Sequence, residues 1–253
     1  MNRVTAGILL GVFASGALSG CASRRTERDH SQATKEPEAS KPAPPAEPTG
    51  TPDSSKNLGN FAEFPAELKH DGFLYGGFNQ QSKTQKYRLT TPTNKSEGEV
   101  VTQYLGEVDG KYTFSRERTD GLAVLGSDTV SITKGGVEMI QVTLGTLDKP
   151  YIEVPAKLAP GTTWKVDSKM EAPNGTINES SSFKVVGEET VTVPAGTMKA
   201  LKVVGTGTGS VGDTKFETKS EFWMSKESGL VKFSVTQKPK QGDTQTVTLE
   251  LVK

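Results

Sequence analysis

The feature that most constrains this chain is an alternation of apolar and polar residues that runs from about Phe61 to the C-terminus. In residues 230–237, Val231, Phe233 and Val235 share one face, while lysine, serine and threonine occupy the other. The same alternation recurs in residues 111–117, 136–144, 215–224 and 246–252. A period of two is typical of antiparallel strands that bury one face and expose the other. The sequence therefore predicts a sheet with one apolar face.

Turn-forming pairs separate these runs. Glycine next to aspartate, asparagine or a second glycine supplies the backbone conformations that tight hairpin turns need. The pairs are Asp109-Gly110, Asp120-Gly121, Gly135-Gly136, Asn174-Gly175, Gly212-Asp213 and Gly242-Asp243. Their spacing predicts about ten to twelve strands. Only residues 62–70 could form a short helix, and Pro65 interrupts that stretch.

The lack of helical periodicity after about residue 75 limits the architecture. A sheet with one apolar face must bury that face against something, and without covering helices it must curl on itself. We therefore expect residues 58–253 to form one all-β domain. The expected fold is an antiparallel closed or half-open β-barrel, with a two-sheet sandwich as the alternative. The domain is large enough to bury a core without disulfides or metals.

The N-terminus has the pattern of a bacterial lipoprotein signal. Arg3 precedes a small, apolar run of about 12 residues, which is shorter than the roughly 20 that a membrane-spanning helix needs. The run ends at Leu18-Ser19-Gly20-Cys21, and Cys21 is the only cysteine in the chain. This tetrapeptide matches the lipobox. Residues 1–20 are therefore predicted to be a signal peptide cleaved between Gly20 and Cys21, with lipidation of Cys21. The alternative is an ordinary signal peptide with an incidental cysteine.

Residues 21–57 differ in composition from the rest of the chain. They are rich in proline, serine, glutamate and lysine and contain no aromatic residue, leucine, isoleucine or valine. Such a segment cannot bury enough apolar surface to fold, so it is predicted to be a disordered tether. Ala22 rather than aspartate follows Cys21, which favours the outer membrane in a two-membraned bacterium. In a one-membraned bacterium the outer face of the cytoplasmic membrane is expected.

Few residues have the chemistry of an active site. The chain contains 30 basic and 30 acidic residues, and this balance argues against a nucleic-acid partner. Its two histidines, His30 and His70, are far apart and form no zinc-binding pattern. Residues 205–209 (GTGTG) lack the lysine of a phosphate-binding loop and are predicted to be a hairpin or bulge. Glu188-Glu189 are predicted to be turn residues. The sequence predicts no catalytic residue, metal site or cofactor.

Three segments carry a family resemblance. They are residues 158–164 (LAPGTTW), residues 185–203 (VVGEETVTVPAGTMKALKV), and Phe222-Trp223-Met224 followed by residues 229–232 (GLVK). Together they resemble a family of uncharacterised bacterial secreted and envelope proteins. The resemblance implies a β-rich fold related in shape to lipoprotein carriers, which are half-open barrels that hold acyl chains. It implies no functional residues. Trp164 and Trp223 are predicted to anchor the core or the barrel rim.

These observations lead to three functional hypotheses. The first is a non-enzymatic envelope lipoprotein, held at the membrane by Cys21, that acts as a structural or interaction module. The second is a carrier of a lipid or another apolar ligand inside the barrel, which requires a cavity of several hundred Å³. The third is an enzyme of an unrecognised type, which requires converging polar groups in a cleft. The expected partners are the membrane and, in addition, an apolar ligand or an envelope protein.

Overall fold

The computed structural model describes residues 60–252. In this range three 3₁₀ turns (Phe61–Glu63, Ala66–Leu68 and Asp120–Leu125) and one helix, α1 (Asp71–Tyr75), accompany thirteen strands. The strands are β1 (Ser82–Thr90), β2 (Lys95–Val108), β3 (Lys111–Arg118), β4 (Asp128–Thr133), β5 (Gly136–Val142), β6 (Thr146–Leu147), β7 (Tyr151–Pro155), β8 (Thr163–Ala172), β9 (Gly175–Val193), β10 (Gly196–Val211), β11 (Thr214–Ser225), β12 (Gly229–Pro239) and β13 (Gln245–Val252). No helix in this part of the chain has the length and apolar character that crossing a membrane requires.

The thirteen strands form one sheet in the order β6-β8-β9-β10-β11-β12-β13-β1-β2-β3-β4-β5-β7. Every neighbouring pair is antiparallel, which confirms the predicted all-β class. The end strands β6 and β7 do not pair with each other, so the sheet stays open, as in a half-open barrel or a sandwich. The number of strands exceeds the prediction because the two-residue β6 is too short to show alternation.

The two ends of the open sheet are linked by the chain between β5 and β8. After β5, Thr146 and Leu147 pair with β8 as strand β6, and the chain then returns as β7 to pair with β5. Trp164 of β8 adds a link, because its Nε1 donates a hydrogen bond to the carbonyl oxygen of Glu153 in β7 at 3.2 Å. Trp164 also stacks on Phe183 with 5.1 Å between ring centroids. Trp164 is therefore a core anchor at the sheet opening, as predicted.

Residues 60–78, which we call the aromatic segment, pack against the sheet without pairing with any strand. Phe64, Phe73 and Phe78 are at most 3 % exposed. Phe64 stacks on Phe73 at 4.9 Å, and Phe78 lies 5.0 Å from Phe114 of β3, measured between ring centroids. Fully burying each of these side chains contributes roughly 1.5–3 kcal/mol. The aromatic segment thus supplies much of the apolar surface that covers the inner face of the sheet.

The helical part of this segment begins later than predicted. Residues 62–70 form two separate 3₁₀ turns, and α1 starts only at Asp71. Pro65 separates the two turns, and His70 is the N-cap of α1, with Nδ1 accepting a hydrogen bond from the Phe73 backbone N–H at 3.1 Å. The His70 Nε2 lies 2.9 Å from the carbonyl oxygen of Thr133. His70 therefore caps the helix and fixes it to the end of β4.

Most of the predicted turns are present. Five of the six predicted pairs lie at connections between strands; they are Asp109-Gly110, Gly135-Gly136, Asn174-Gly175, Gly212-Asp213 and Gly242-Asp243. Asp120-Gly121 instead begins the 3₁₀ turn Asp120–Leu125, so the prediction of a tight hairpin there was wrong. Asp120 adopts a φ of 50°, and Leu122 and Leu125 of the same turn are buried. The apolar residues after the pair favour a packed turn over a two-residue connection.

The glycine-rich stretch at residues 205–209 is not a hairpin or a bulge, as was predicted, but the middle of the long strand β10. Its glycines face inward, opposite large or polar inner side chains on the neighbouring strands. A Cβ atom at Gly205 would clash with the ring of Phe183 and the hydroxyl of Ser220, and one at Gly207 would clash with Ser181. The absence of side chains here lets neighbouring strands place their own side chains in the interior.

We expect Gly205→Val to lower the free energy of unfolding by about 1–3 kcal/mol, because the added methyl groups would overpack this part of the interior. Urea denaturation of the purified chain measures the effect. Thr206→Val is the matched control, since Thr206 is exposed on the outer face of the same strand and its substitution should change stability by less than about 0.5 kcal/mol. Equal losses in the two variants would contradict the inward orientation of Gly205.

Candidate functional site

Buried ionisable side chains collect where β3, β4 and β7 meet. Arg116 Nε donates to Asp128 Oδ1 at 2.6 Å, and Arg116 Nη2 donates to both carboxylate oxygens of Glu153, at 3.0 and 3.2 Å. Arg118 Nη1 donates to Asp128 Oδ2 at 2.7 Å. All four side chains are less than 10 % exposed. We call Arg116, Arg118, Asp128 and Glu153 the charge cluster.

Strand register explains how the cluster forms. Arg116 in β3 lies directly opposite Asp128 in β4, so their side chains meet on the same face of the sheet. Glu153 reaches the cluster through a bulge in β7. Val137 pairs with Val154 and Glu138 pairs with Ile152, which leaves Glu153 as the extra residue. A bulge re-aims a side chain, and here both Glu153 and Val154 are buried.

The carboxyl groups of the cluster respond differently to burial. Burial opposes ionisation of Asp128, but Arg116 and Arg118 together hold its pKa below the usual range. For Glu153, burial is the stronger effect and raises its pKa to about 7, although Arg116 favours the charged form and partly offsets the shift. A buried ion pair repays its desolvation cost only when its geometry and remaining hydrogen bonds are good. The charge cluster therefore fixes β3, β4 and β7 relative to one another through contacts made among its own members.

A small cavity of about 50 Å³ lies beside the charge cluster. Its polar lining includes Gln85, Thr102 and three members of the charge cluster, Arg116, Arg118 and Glu153, and the rest is mainly apolar. A space of this size holds a few water molecules. It is far smaller than the several hundred Å³ of a typical small-molecule site. In the described conformation the cavity has no room for an acyl chain.

A further buried carboxyl group lies on the other side of the sheet opening. Glu179 of β9 is 6 % exposed and accepts a hydrogen bond from Ser181 Oγ at 2.7 Å. Burial raises the pKa of Glu179 to about 8, and the bond from Ser181 offsets this only in part. Burial also raises the pKa of Tyr151 in β7, to which both Glu153 and Glu179 contribute. Tyr151 is thus within electrostatic range of both carboxyl groups.

The residues that the sequence singled out have other positions. Gly20 and Cys21, the predicted signal peptide and the whole of the predicted tether lie outside the described residues, so the structure does not bear on them. Glu188-Glu189 are within β9, and the prediction that they are turn residues was wrong, because the turn follows at Pro194 and Ala195. The Tyr75 hydroxyl donates to Glu188 at 3.5 Å, and Trp223 Nε1 donates to Glu189 at 2.6 Å.

Trp223 is buried on the outer face, where Lys202 Nζ lies 4.9 Å and Lys232 Nζ 5.7 Å from the ring centroid. It therefore packs under two lysines as a structural residue, consistent with its predicted anchoring role. Among residues 60–252, no three histidine, cysteine, aspartate or glutamate side chains are grouped as metal ligands would be.

Sequence reasoning missed the charge cluster, although part of the signal was present. Arg116 and Arg118 continue the period-two face that begins with Tyr112 and Phe114. Asp128 shares its face with Val130 and Ile132, and Glu179 shares its face with Phe183 and Val185. Charged residues in phase with an apolar face indicate buried charge. Glu153 could not be found in this way, because the bulge in β7 changes the phase of the alternation.

Comparisons with known proteins assign no family. No protein-family model matches the chain, and no curated protein sequence matches it. Three solved structures are similar at low identity. One is of a candidate lipoprotein from Parabacteroides distasonis, at 14 % identity and a TM-score of 0.48, covering 70 % of this chain and 97 % of that one. Another is of a candidate exported protein with a YmcC-like fold from Bacteroides fragilis, at 14 % identity and a TM-score of 0.47, covering 69 % and 96 %.

The third is the hypothetical lipoprotein YmcC from Escherichia coli, at 13 % identity and a TM-score of 0.36, covering 73 % of this chain and 89 % of that one. All three TM-scores are below 0.5. These similarities therefore assign neither an activity nor a ligand to this chain.

Removing one member of the charge cluster should be costly. We expect Arg116→Leu to lower the free energy of unfolding by about 3–5 kcal/mol, because Glu153 would lose its arginine partner while still buried. Urea denaturation at neutral pH measures the loss. Lys111→Leu is the control, since it breaks the more exposed pair of Lys111 and Glu138 and should cost much less. Similar losses in the two variants would show that the cluster contributes no more than a surface pair.

Glu179 should make stability depend on pH. Its pKa is about 8 in the folded state and close to the ordinary value of 4.5 when unfolded. Between these pH values the folded state holds a proton that the unfolded state has lost, so stability falls as pH rises. Glu179→Gln removes this dependence. Its melting temperature relative to the parent chain should be higher at pH 8 than at pH 5 by at least about 4 °C.

Calorimetry of both chains from pH 5 to pH 8 measures this difference. The exposed Glu107 provides the control, since Glu107→Gln should leave the pH profile of the parent chain unchanged. A parallel pH profile for Glu179→Gln and the parent chain would rule out a protonated Glu179 in the folded state.

Proposed function

We propose that this chain is a lipoprotein of the bacterial cell envelope, anchored through Cys21 and carrying a non-enzymatic β domain on the tether of residues 21–57. The observation that carries the proposal is the lipobox Leu18-Ser19-Gly20-Cys21, which contains the only cysteine of the chain. One acyl chain gives only marginal membrane binding, so the two or three chains of a lipoprotein make a stable anchor. The acyl donor is expected to include palmitate-type chains.

The described domain supports a role for the protein surface rather than for its interior. The members of the charge cluster pair with one another, and three of them, Arg116, Arg118 and Glu153, also line the adjacent cavity. The cavity beside them measures about 50 Å³. A domain with a filled interior acts through contacts on its outside. We therefore propose an interaction or structural module that works at the envelope without catalysis.

The proposed location follows from the anchor. With Ala22 and Ser23 after Cys21, the periplasmic face of the outer membrane is proposed for a two-membraned organism. In an organism with one membrane, the protein would lie on the outer face of that membrane. The tether would then hold the domain away from the lipid headgroups, since about 36 flexible residues span roughly 30–35 Å.

A carrier of apolar ligands is the second candidate, and the open sheet is the observation that favours it. An acyl chain could enter only if the aromatic segment left the interior, because this segment occupies that space through Phe64, Phe73 and Phe78. Such a carrier would therefore pass through a conformation different from the described one. Mass spectrometry of ligands retained after gentle detergent purification tests this candidate.

Cys21→Ala tests the anchor. We expect the variant to lose labelled palmitate completely and to move from the membrane to the soluble fraction, because no other cysteine can carry the thioether. Metabolic labelling and fractionation measure both properties. Ser23→Ala, which leaves the lipobox intact, is the control and should behave as the parent chain. A Cys21→Ala variant that remains membrane-bound, with a parent chain that never takes up label, would refute the proposal.

A further inference from the structure

The outer face of β8–β11 carries a regular array of polar side chains, which we call the polar grid. It consists of three cross-strand rows, in each of which a charged residue on β8 and one on β11 flank two short polar residues on β9 and β10. The rows are Lys169-Asn178-Ser210-Lys215, Asp167-Ser180-Thr208-Glu217 and Lys165-Ser182-Thr206-Lys219. Directly paired residues have their side chains on the same face, so these twelve form one continuous surface.

Side-chain length gives the polar grid the shape of a trough. Serine, threonine and asparagine on β9 and β10 form a low floor, and the longer charged side chains on β8 and β11 form two banks. Since neighbouring strands lie about 4.8 Å apart, the banks are separated by roughly 14 Å. An open groove of about 600 Å³ covers the first two rows. Two smaller grooves, of about 580 and 480 Å³, continue along the third row.

The binding groups of the trough are largely unused within the described residues. Ser182, Thr206 and Thr208 make no side-chain hydrogen bond with any other residue in the range 60–252, while Ser180 Oγ donates to Asp167 at 2.6 Å. In the same range Lys215 and Lys219 have no ion pair. Lys165 also has none, and of the four corner lysines only Lys169 is paired, with Glu171 at 3.4 Å.

Two lysines elsewhere on the outer face are paired across strands. Lys232 contacts Glu250 at 2.8 Å, and Lys202 contacts Glu221 at 3.0 Å. A solvated sheet surface commonly satisfies its charges in this way. In the grid the acids sit between the lysines along each bank, and Glu217 also lies directly opposite Lys238 of β12. Among the described residues, this arrangement leaves three corner cations, Lys165, Lys215 and Lys219, without an ion pair and available to a ligand.

The order of charges along the banks limits the ligand. Each bank reads cation, anion, cation: Lys165, Asp167 and Lys169 on β8, and Lys215, Glu217 and Lys219 on β11. A polymer with a negative charge on every unit would meet Asp167 and Glu217 unfavourably. A polymer that alternates charged and hydroxyl-bearing units would place its anions on the lysines, and its hydroxyl groups could donate to the two carboxylates. The serine and threonine floor suits further hydroxyl groups.

We propose that the polar grid binds an acidic polysaccharide that carries a carboxylate on alternate sugars. This inference rests on the proposed function, in that an envelope anchor places the domain among such polymers. The ligand would lie along the trough, with carboxylates on the corner lysines and sugar hydroxyl groups on the floor. Because the contacts are exposed and charged, affinity should fall as salt rises.

The test uses the full-length chain in detergent and hyaluronan oligosaccharides, whose carboxylates occur on alternate sugars. Titration calorimetry at low salt compares the parent chain with the double variant Lys165→Gln/Lys219→Gln, which neutralises one row. We expect binding to weaken at least tenfold. The control Lys95→Gln/Lys157→Gln removes the same charge from exposed lysines outside the grid and should change affinity less than twofold. Equal weakening in both variants, or no binding by the parent chain, would overturn the proposal.

Two further comparisons test the chemistry. Ser182→Ala/Thr206→Val keeps every charge and removes floor hydroxyl groups, and it should weaken binding at least threefold. Neutral dextran should not bind, while polygalacturonate, which is charged on every sugar, and duplex DNA should bind at least fivefold more weakly than hyaluronan. Tighter binding of either densely charged polymer, or an unchanged floor variant, would show a non-specific cationic surface and refute the proposal.

The outcome is separable from that of the anchor experiment. Cys21→Ala leaves the polar grid intact, so it should bind hyaluronan as the parent chain does. Loss of lipidation together with normal binding supports both proposals. Failure of the parent chain to bind, with normal lipidation, refutes the grid alone.

Discussion

The structure depends on one constraint, namely that a sheet with one apolar face must cover that face although its end strands do not pair. A closed barrel would join its end strands by backbone hydrogen bonds and so enclose the apolar face within one continuous wall. Here the chain uses side chains and connections instead. The aromatic segment packs against the inner face, and the β5–β8 connection links the two ends. Trp164 completes the link through its bond to Glu153.

Glu153 contributes two contacts that hold the open sheet together, one through its side chain and one through its backbone. Its carboxylate accepts from Arg116 and belongs to the charge cluster, while its backbone oxygen accepts from Trp164. The bulge in β7 makes this double role possible, because a regular strand would turn the side chain outward. β7, which forms one end of the sheet, is thus held by the side chain and the backbone oxygen of a single residue.

Much of the fold could be predicted from the sequence, because strand alternation and turn chemistry are local signals. Neighbouring residues in the sequence are enough to predict the strand around Val231, Phe233 and Val235. They are also enough to predict the turn at Asn174-Gly175. The glycines at residues 205–209 were misread, because their role depends on Phe183 and Ser220 in adjacent strands. Local composition cannot distinguish a glycine that completes a turn from one that yields space to a neighbour.

The candidate sites were harder to predict from the sequence than the fold, and the reason differs from site to site. Arg116 and Glu179 lie in phase with apolar faces and could have been recognised as buried charge. Glu153 could not be recognised in this way, since the bulge in β7 shifts it out of the alternation of apolar and polar residues. The polar grid required the register of four strands, which no single segment contains. Its residues resemble an ordinary solvent-facing surface until the rows are aligned.

The position of the aromatic segment has a mechanical consequence. The segment begins at Asn60, close to the end of the predicted tether, and Phe64 lies in the core only four residues later. A pull transmitted along the tether would therefore act first on stacked rings in the interior and not on an edge strand of the sheet. Rings buried on several sides must leave the core together, whereas an edge strand can detach one hydrogen bond at a time. A tether at this position would transmit force to the core of the domain and not to the edge of the sheet.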